Sequence, residues 1–310
     1  MSVKNETEIQ LMKILFKTSG KATKNKSSKR AYPIGVEIKY FRQLKAFFKP
    51  LIDYVKKYLT ENSEQLLKGD SKEIKLDSIP GDTFRKMIFD IENWLAIYMP
   101  DIAELNPNAN IIFTSLAKTA DEAKRFGDKE FKKIINKGIH VDVPISAVWW
   151  DDMKKSWAEY NYTLITSNAK RYVSQINTLT EQAIVNGLSP SKLKDEIFKA
   201  TESLSEKHCR LIARDQMGKL NGNIEQAQMQ EIGLDMYIWS TSLDDRVRDS
   251  HAVMEGLLCR WDDASVCSYD DGKTWVSRPA DAVHLHPGQD IQCRCVALSY
   301  YPELVTQMTS

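Results

Sequence analysis

The pattern of apolar residues changes character at Gly233, and that change limits what this chain can fold into. From Val36 to about residue 232 apolar residues recur at steps of three and four, the spacing that lines one face of a helix. Beyond Gly233 the run Met236-Tyr237-Ile238-Trp239-Ser240-Thr241 is aromatic and β-branched, a composition that favours a strand. The order predicts an α+β protein, with a predominantly helical N-terminal region followed by a small C-terminal α+β module.

Within the helical region the stripe Phe41, Leu44, Phe48, Ile52, Val55 and Leu59 predicts a first helix, bent or divided at Pro50. Phe84, Met87, Ile88, Ile91, Trp94, Leu95 and Tyr98 predict a second, ended by Pro100. A third is expected from about 116 to 135. A long fourth runs from about 150 to 185 and carries Met153, Trp157, Tyr160, Leu164, Ile176 and Leu179. Gly187 followed by Ser189-Pro190 reads as a stop and restart, because glycine suits the left-handed position after a helix and proline its first turn. Two more helices cover about 190–202 and 205–232, with Ser205 as a cap and Gly233 as a closing residue. Trp149, Trp150 and Trp157 fit core packing better than a docking surface.

In the C-terminal module, Ser242 with Asp245 three residues on predicts a capped short helix on which Val247, His251, Met254 and Leu258 share a face, ended by Gly256. Asp270-Asp271-Gly272 reads as a turn between short extended pieces, Pro287-Gly288 as a turn, and 293–300 as a final strand. Asp244 and Asp245 with Arg246 and Arg248 fit a helix cap and ion pairs, Asp244 and Arg248 being four apart.

The near-zero net charge hides an asymmetry. Residues 1–60 hold 14 lysines or arginines against four acids, a local charge of +10, while the overall charge is +1. The stretch 1–32 reads as a basic flexible arm, and Lys13, Lys17, Lys21, Lys24, Lys26, Lys29 and Arg30 are its candidate contacts to a polyanion or an acidic protein surface. A solvated lysine-rich tail is the plainer reading of the same residues. No apolar run reaches the roughly 18 residues that a membrane-spanning helix needs, and no secretory signal is evident, so no membrane partner is expected.

Four of five cysteines and three of five histidines fall in the last quarter of the chain. An odd cysteine count without an export signal argues against a disulfide framework. Cys293 and Cys295 are two apart, so in a strand both sulfurs point to one side. They join His251 and one of His286, His284 or Cys259 in a stereochemically reasonable tetrahedral set for structural zinc. Packed thiols around a hydrogen-bonded histidine, and a disulfide or thiol-redox role, explain the same residues.

Several short segments in a fixed order carry a resemblance. Ile212-Ala213-Arg214-Asp215, Tyr237-Ile238-Trp239-Ser240-Thr241, Asp244-Asp245-Arg246-Val247-Arg248 with His251 and Gly256, His286-Pro287-Gly288, and Cys293-Arg294-Cys295 together resemble the C-terminal domain of the Mu F-like phage head morphogenesis family. The resemblance covers about residues 200–300 and departs at Glu255-Gly256, where Asp-Gly is frequent in the family. It implies a non-enzymatic minor head protein of tailed phages. Such a protein sits in the virion at the capsid interior or portal vertex and acts in head assembly and in packaging or delivery of DNA. With the charge and the helical periodicity read above, the expected partition is a basic arm (1–32), a helical docking region (33–200) for a portal or major capsid protein, and a Mu F-like domain (201–310), the resemblance itself covering only the last of these. Lysines in the arm would meet phage DNA without base specificity.

The rival from another class is a metal-dependent nuclease or hydrolase built on the His251 cluster. Residues 241–290 hold five basic against ten acidic residues, a poor surface for phosphate unless metal ions offset it. A toxin or transferase domain finds no support: the residues before 200 contain no phosphate-binding glycine loop, no H-E-x-x-H and no G-x-S-x-G.

Overall fold

The computed structural model describes residues 31–61, 80–101, 107–139, 145–186, 188, 190–204 and 206–300. The arm residues Lys13 to Arg30, the cap candidates Gly187, Ser189 and Ser205, and the tail beyond 300 lie outside the described residues. The fold is α+β, as expected: helices α1 (Ile34–Glu61), α2 (Pro80–Tyr98), α3 (Pro107–Ile139), α4 (Trp150–Val185), α5 (Pro190–Ala200) and α6 (Glu206–Glu231) precede a small sheet region. A 3-10 turn, Thr201–Leu204, follows α5.

Two compact units share these elements. One draws on described residues within 38–119 and 155–213, the other on those within 1–37, 120–154 and 214–310. In the first, Tyr40, Phe41, Leu44, Phe48, Leu51, Val55 and Leu59 of α1 are buried, so the stripe read from sequence is the packed face, with Leu51 in place of half-buried Ile52. The helix is continuous through Pro50 rather than divided there. The Tyr40 hydroxyl donates to Asn161 Oδ1 on α4 at 2.6 Å, and Gln43 joins Ser115 and Thr119 of α3. Tyr162 donates to the Pro100 carbonyl at 2.7 Å, and the Tyr172 and Thr201 hydroxyls pair at 3.0 Å. These buried hydroxyls each find a partner, which removes the cost of burying them. On α4 the expected core residue Tyr160 is exposed, while Tyr162 and Tyr172 are buried.

The second unit holds the sheet. Strand β1 (Met236–Ser240) is central in the order β2-β1-β5, antiparallel to β2 (Leu258–Arg260) and β5 (Val296–Ser299), with Tyr237 opposite Cys259 and Ser299. Strands β3 (Val266–Cys267) and β4 (Val276–Ser277) pair separately. Between them Asp271 and Gly272 are left-handed (φ 59° and 82°), held by the Ser268 hydroxyl and the Asp270 carboxylate. One core joins Phe131 and Ile135 of α3, Met229 of α6, Tyr237, Trp239, Met254, Trp261 and all four C-terminal cysteines.

Two local readings need correction. The short helix α7 is Asp249–Ala252, not a longer one starting at Ser242. Leu243 is left-handed (φ 57°) and the Asp244 carboxylate is claimed by Arg294, so residues 242–247 form a turn. Leu258 accordingly sits in β2 rather than on the helix face. Cys293 and Cys295 precede β5, in irregular backbone; what brings their sulfurs together is the loop, not a strand's alternation.

Candidate functional site

The segment after β1 turns back at Gly256, whose φ of +77° lets its N–H reach the Trp239 carbonyl at 2.9 Å. That reversal sets His251, on α7, under the end of β1, with its ring edge-on to Trp239. The other half of the site arrives through the loop from Pro287 to Cys295. Gly288 (φ +85°) packs its backbone directly on Gly222 of α6: a Cβ on Gly222 would stand 2.7 Å from the Pro287 carbonyl oxygen. Farther along, Gln292 (φ 53°) donates its N–H to Asp215 Oδ1 of α6 at 2.9 Å. Helix α6 is thereby the template on which the cysteine loop is laid.

At the meeting point His251 Nδ1 is 3.3 Å from Cys295 Sγ and 3.6 Å from Cys293 Sγ, and the three donor atoms lie within 4.8 Å of one another. All three side chains are buried. On its far side His251 Nε2 is 2.9 Å from Asp290 Oδ2, which also accepts from Arg248 Nη1 at 2.8 Å; Arg248 Nη2 reaches the Ile291 carbonyl at 2.6 Å. Asp290 Oδ1 accepts the Ile291 N–H at 2.7 Å.

Charge follows geometry. The Cys293 sulfur beside the imidazole raises the His251 pKa, burial opposes this, and Asp290 adds to the rise. Burial alone would raise Asp290, but His251, the Ile291 N–H and Arg248 outweigh it and hold the carboxyl low. The two thiols titrate as a pair. The first negative charge falls on Cys293, which receives the Cys295 thiol, and despite burial is further held low by His251 and the N–H groups of Gly288 and Cys295; Cys295 is pushed up.

His286 does not join this group. Its Nδ1 pairs with the Tyr237 hydroxyl at 2.9 Å and its ring packs on Trp261. His284 is exposed, and Cys259 is buried in β2 on the Tyr237 side. The ion pair expected between Asp244 and Arg248 is replaced by two others. Asp244 makes a bidentate pair with Arg294 and a weaker one with exposed Arg246, while Arg248 serves Asp290. Asp245 is exposed. Pro287 and Gly288 form the buried turn against α6.

Several residues were missed from sequence. Asp290 differs from the other acids only in what it touches. Arg278, 4% exposed, donates to the Val266, Val283 and Leu285 carbonyls and to the Tyr237 hydroxyl, tying three loops together, yet nothing in its neighbours marks it as buried. The Gly218/Gly222 pair did carry a signal, since two glycines four apart inside a helix are unfavourable unless something packs closely on them.

Residues 174–298 match the family described as Phage Mu protein F like protein. The C-terminal region is Mu F-like. The Mu F-like match begins within α4 and ends in β5, so it takes in every residue of the His251, Cys293 and Cys295 cluster. An uncharacterized protein of Haemophilus influenzae is 36% identical over 138 residues, 44% of this chain. That alignment spans 27% of the Haemophilus protein's length, so the chain covers only about a quarter of that relative. No solved structure matches the chain.

Proposed function

We propose that this chain is a minor head protein that acts in phage head morphogenesis without catalysing a reaction. The observation that carries the reading is the Mu F-like match over residues 174–298; that family points to head morphogenesis, to the virion and to other head components as partners. In this reading residues 33–200 dock on the portal or major capsid protein, and the basic residues before 32 contact packaged DNA or an acidic protein surface. An open groove of about 950 Å³, lined by Ile52, Phe198 and Leu204 with Lys45, Lys49, Lys56 and Glu206, supports docking of a partner on this region; Lys45 and Lys49 there are paired with Glu206 and Asp53. Among the described residues no helix is long and apolar enough to cross a membrane.

The site itself supports a non-enzymatic role. Among the described residues two cavities border the cluster, of about 140 and 350 Å³, the larger at the lower end of the roughly 300–1,000 Å³ of sites that enclose a small-molecule substrate. Arg248 and Arg294 on their walls are already committed to Asp290 and Asp244. A phosphodiester would have to displace them.

The test is chemical cross-linking in procapsids made with this protein. Cross-links from residues 33–200 to the portal or major capsid protein are expected. Recovery of the protein outside the particles, with heads assembling normally in its absence, refutes the reading. Plasmid degradation by purified protein in magnesium or zinc, lost in His251→Ala, would replace it with the hydrolase.

A further inference from the structure

We propose that His251 Nδ1, Cys293 Sγ and Cys295 Sγ are the protein ligands of one zinc ion, and that its fourth position faces the arginine-rimmed cavity and is completed by solvent. The argument starts from distances. With zinc bonds of about 2.3 Å to sulfur and 2.0 Å to nitrogen and a tetrahedral angle, nitrogen and sulfur ligands stand about 3.5 Å apart, and two sulfurs about 3.8 Å apart. The observed nitrogen–sulfur separations are 3.3 and 3.6 Å, and all three donor atoms lie within 4.8 Å of one another. A single Nδ1 has one lone pair or one proton and serves only one of two sulfurs well. An ion between them satisfies all three donors together.

The surroundings match what such an ion needs. Asp290 on Nε2 fixes that nitrogen as the protonated one and turns Nδ1, with its lone pair, toward the sulfurs, the outer-shell arrangement that orients metal-bound imidazoles. Arg248 holds the carboxylate in turn. Cys293 Sγ receives the Cys295 N–H at 3.4 Å. The Trp239 indole N–H, wholly buried, has no hydrogen-bond partner among the described residues, and its ring lies edge-on to His251.

Ligand chemistry selects the metal. Two thiolates and a neutral imidazole are soft donors that suit zinc and exclude calcium or magnesium, which take oxygen. Two thiolates also cancel the charge of a divalent ion, so the centre can be buried. Among the described residues no fourth histidine, cysteine or carboxylate joins the group. The space on that side is the 140 Å³ cavity walled by Arg214, Arg246, Arg248, Arg294, Ser242 and Gln292, which has room for a few waters. The ion would link α7 to the loop before β5, 42 and 44 residues apart along the chain.

Full-length protein purified without chelators is expected to carry about one zinc per chain by elemental analysis. Stripping the metal should lower the melting temperature, and zinc added alone should restore it while magnesium does not. Cobalt(II) in the stripped protein should give thiolate-to-cobalt charge-transfer absorption that is lost in Cys293→Ser and in Cys295→Ser. Should those variants fail to fold, Asp290→Asn carries the test: as an outer-shell change it should weaken zinc binding about 10- to 100-fold. His284→Ala should bind as the parent does. Zinc-free protein whose melting is unmoved by added zinc overturns the proposal. So does a Cys293–Cys295 disulfide in the mass of freshly purified, unreduced protein.

Discussion

Adding one methyl group at Gly222 tests whether α6 positions the cysteine loop. The Cβ of Gly222→Ala would lie 2.7 Å from the Pro287 carbonyl oxygen and 3.3 Å from Gly288 Cα. Both are backbone atoms, so no side-chain rotation relieves the overlap, and the turn is held by the left-handed Gly288 and by the Gln289 N–H on the His286 carbonyl at 3.1 Å. Overpacking of this kind costs about 1–3 kcal/mol. Against it stands the helix preference of alanine over glycine, about 0.8–1 kcal/mol. The net is a destabilisation of up to about 2 kcal/mol. Gly218→Ala is the internal control, because its Cβ would meet only the Cys293 carbonyl oxygen, at 3.4 Å, the edge of ordinary contact. There the helix gain of about 0.8–1 kcal/mol should survive. The two variants should therefore differ by roughly 2 kcal/mol in opposite directions from the parent, several degrees in melting temperature at about 2–4 °C per kcal/mol. Thermal unfolding of the full chain, followed by circular dichroism, reads this difference. A Gly222→Ala protein as stable as Gly218→Ala would show that the loop does not bear on the helix, and the account of how the site is positioned would fail.

Two further expectations concern the same unit. Glu231, at the end of α6, accepts from the Ser146 hydroxyl at 2.7 Å, the Trp149 indole at 2.8 Å and the Ser146 and Ala147 N–H groups; burial pushes its pKa up, but these donors prevail and lower it. Glu231→Gln should cost about 1–2 kcal/mol at neutral pH. Since the folded-state pKa is depressed, this stability is present above the unfolded value near 4.3 and is lost as pH falls through the folded one. The gap between parent and variant in urea titrations should close below about pH 4; a constant gap from pH 7 to pH 3 would contradict it. Arg278→Met should cost about 2–4 kcal/mol by leaving the Val283 and Leu285 carbonyls without their donor, with Arg278→Lys recovering only part. Denaturant unfolding within about 0.5 kcal/mol of the parent would rule out that role.

Periodicity made the helices readable because burial of one helix face repeats within a few residues and needs no knowledge of the partner. Phe41, Leu44, Phe48, Val55 and Leu59 declare α1 whatever they pack against. The same logic placed α4 to α6, but began α3 at 116 where it starts at Pro107, since Ile111 on that first stretch is exposed and blurs the stripe. The meeting of His251 with Cys293 and Cys295 was suggested by residue type, and the strand invoked to align the sulfurs is absent there. That none of the fourth-ligand candidates His286, His284 and Cys259 joined them was decided by tertiary contacts alone. His286 went to Tyr237, and Asp290, one acid among ten in that segment, went to the imidazole. By itself the sequence determined the α+β order, the Mu F-like character and the list of candidate ligands. The tertiary structure decided their grouping, because a chain reversal at Gly256, a glycine contact at Gly222 and an anchor at Asp215 act between residues dozens of positions apart, beyond the reach of any local pattern.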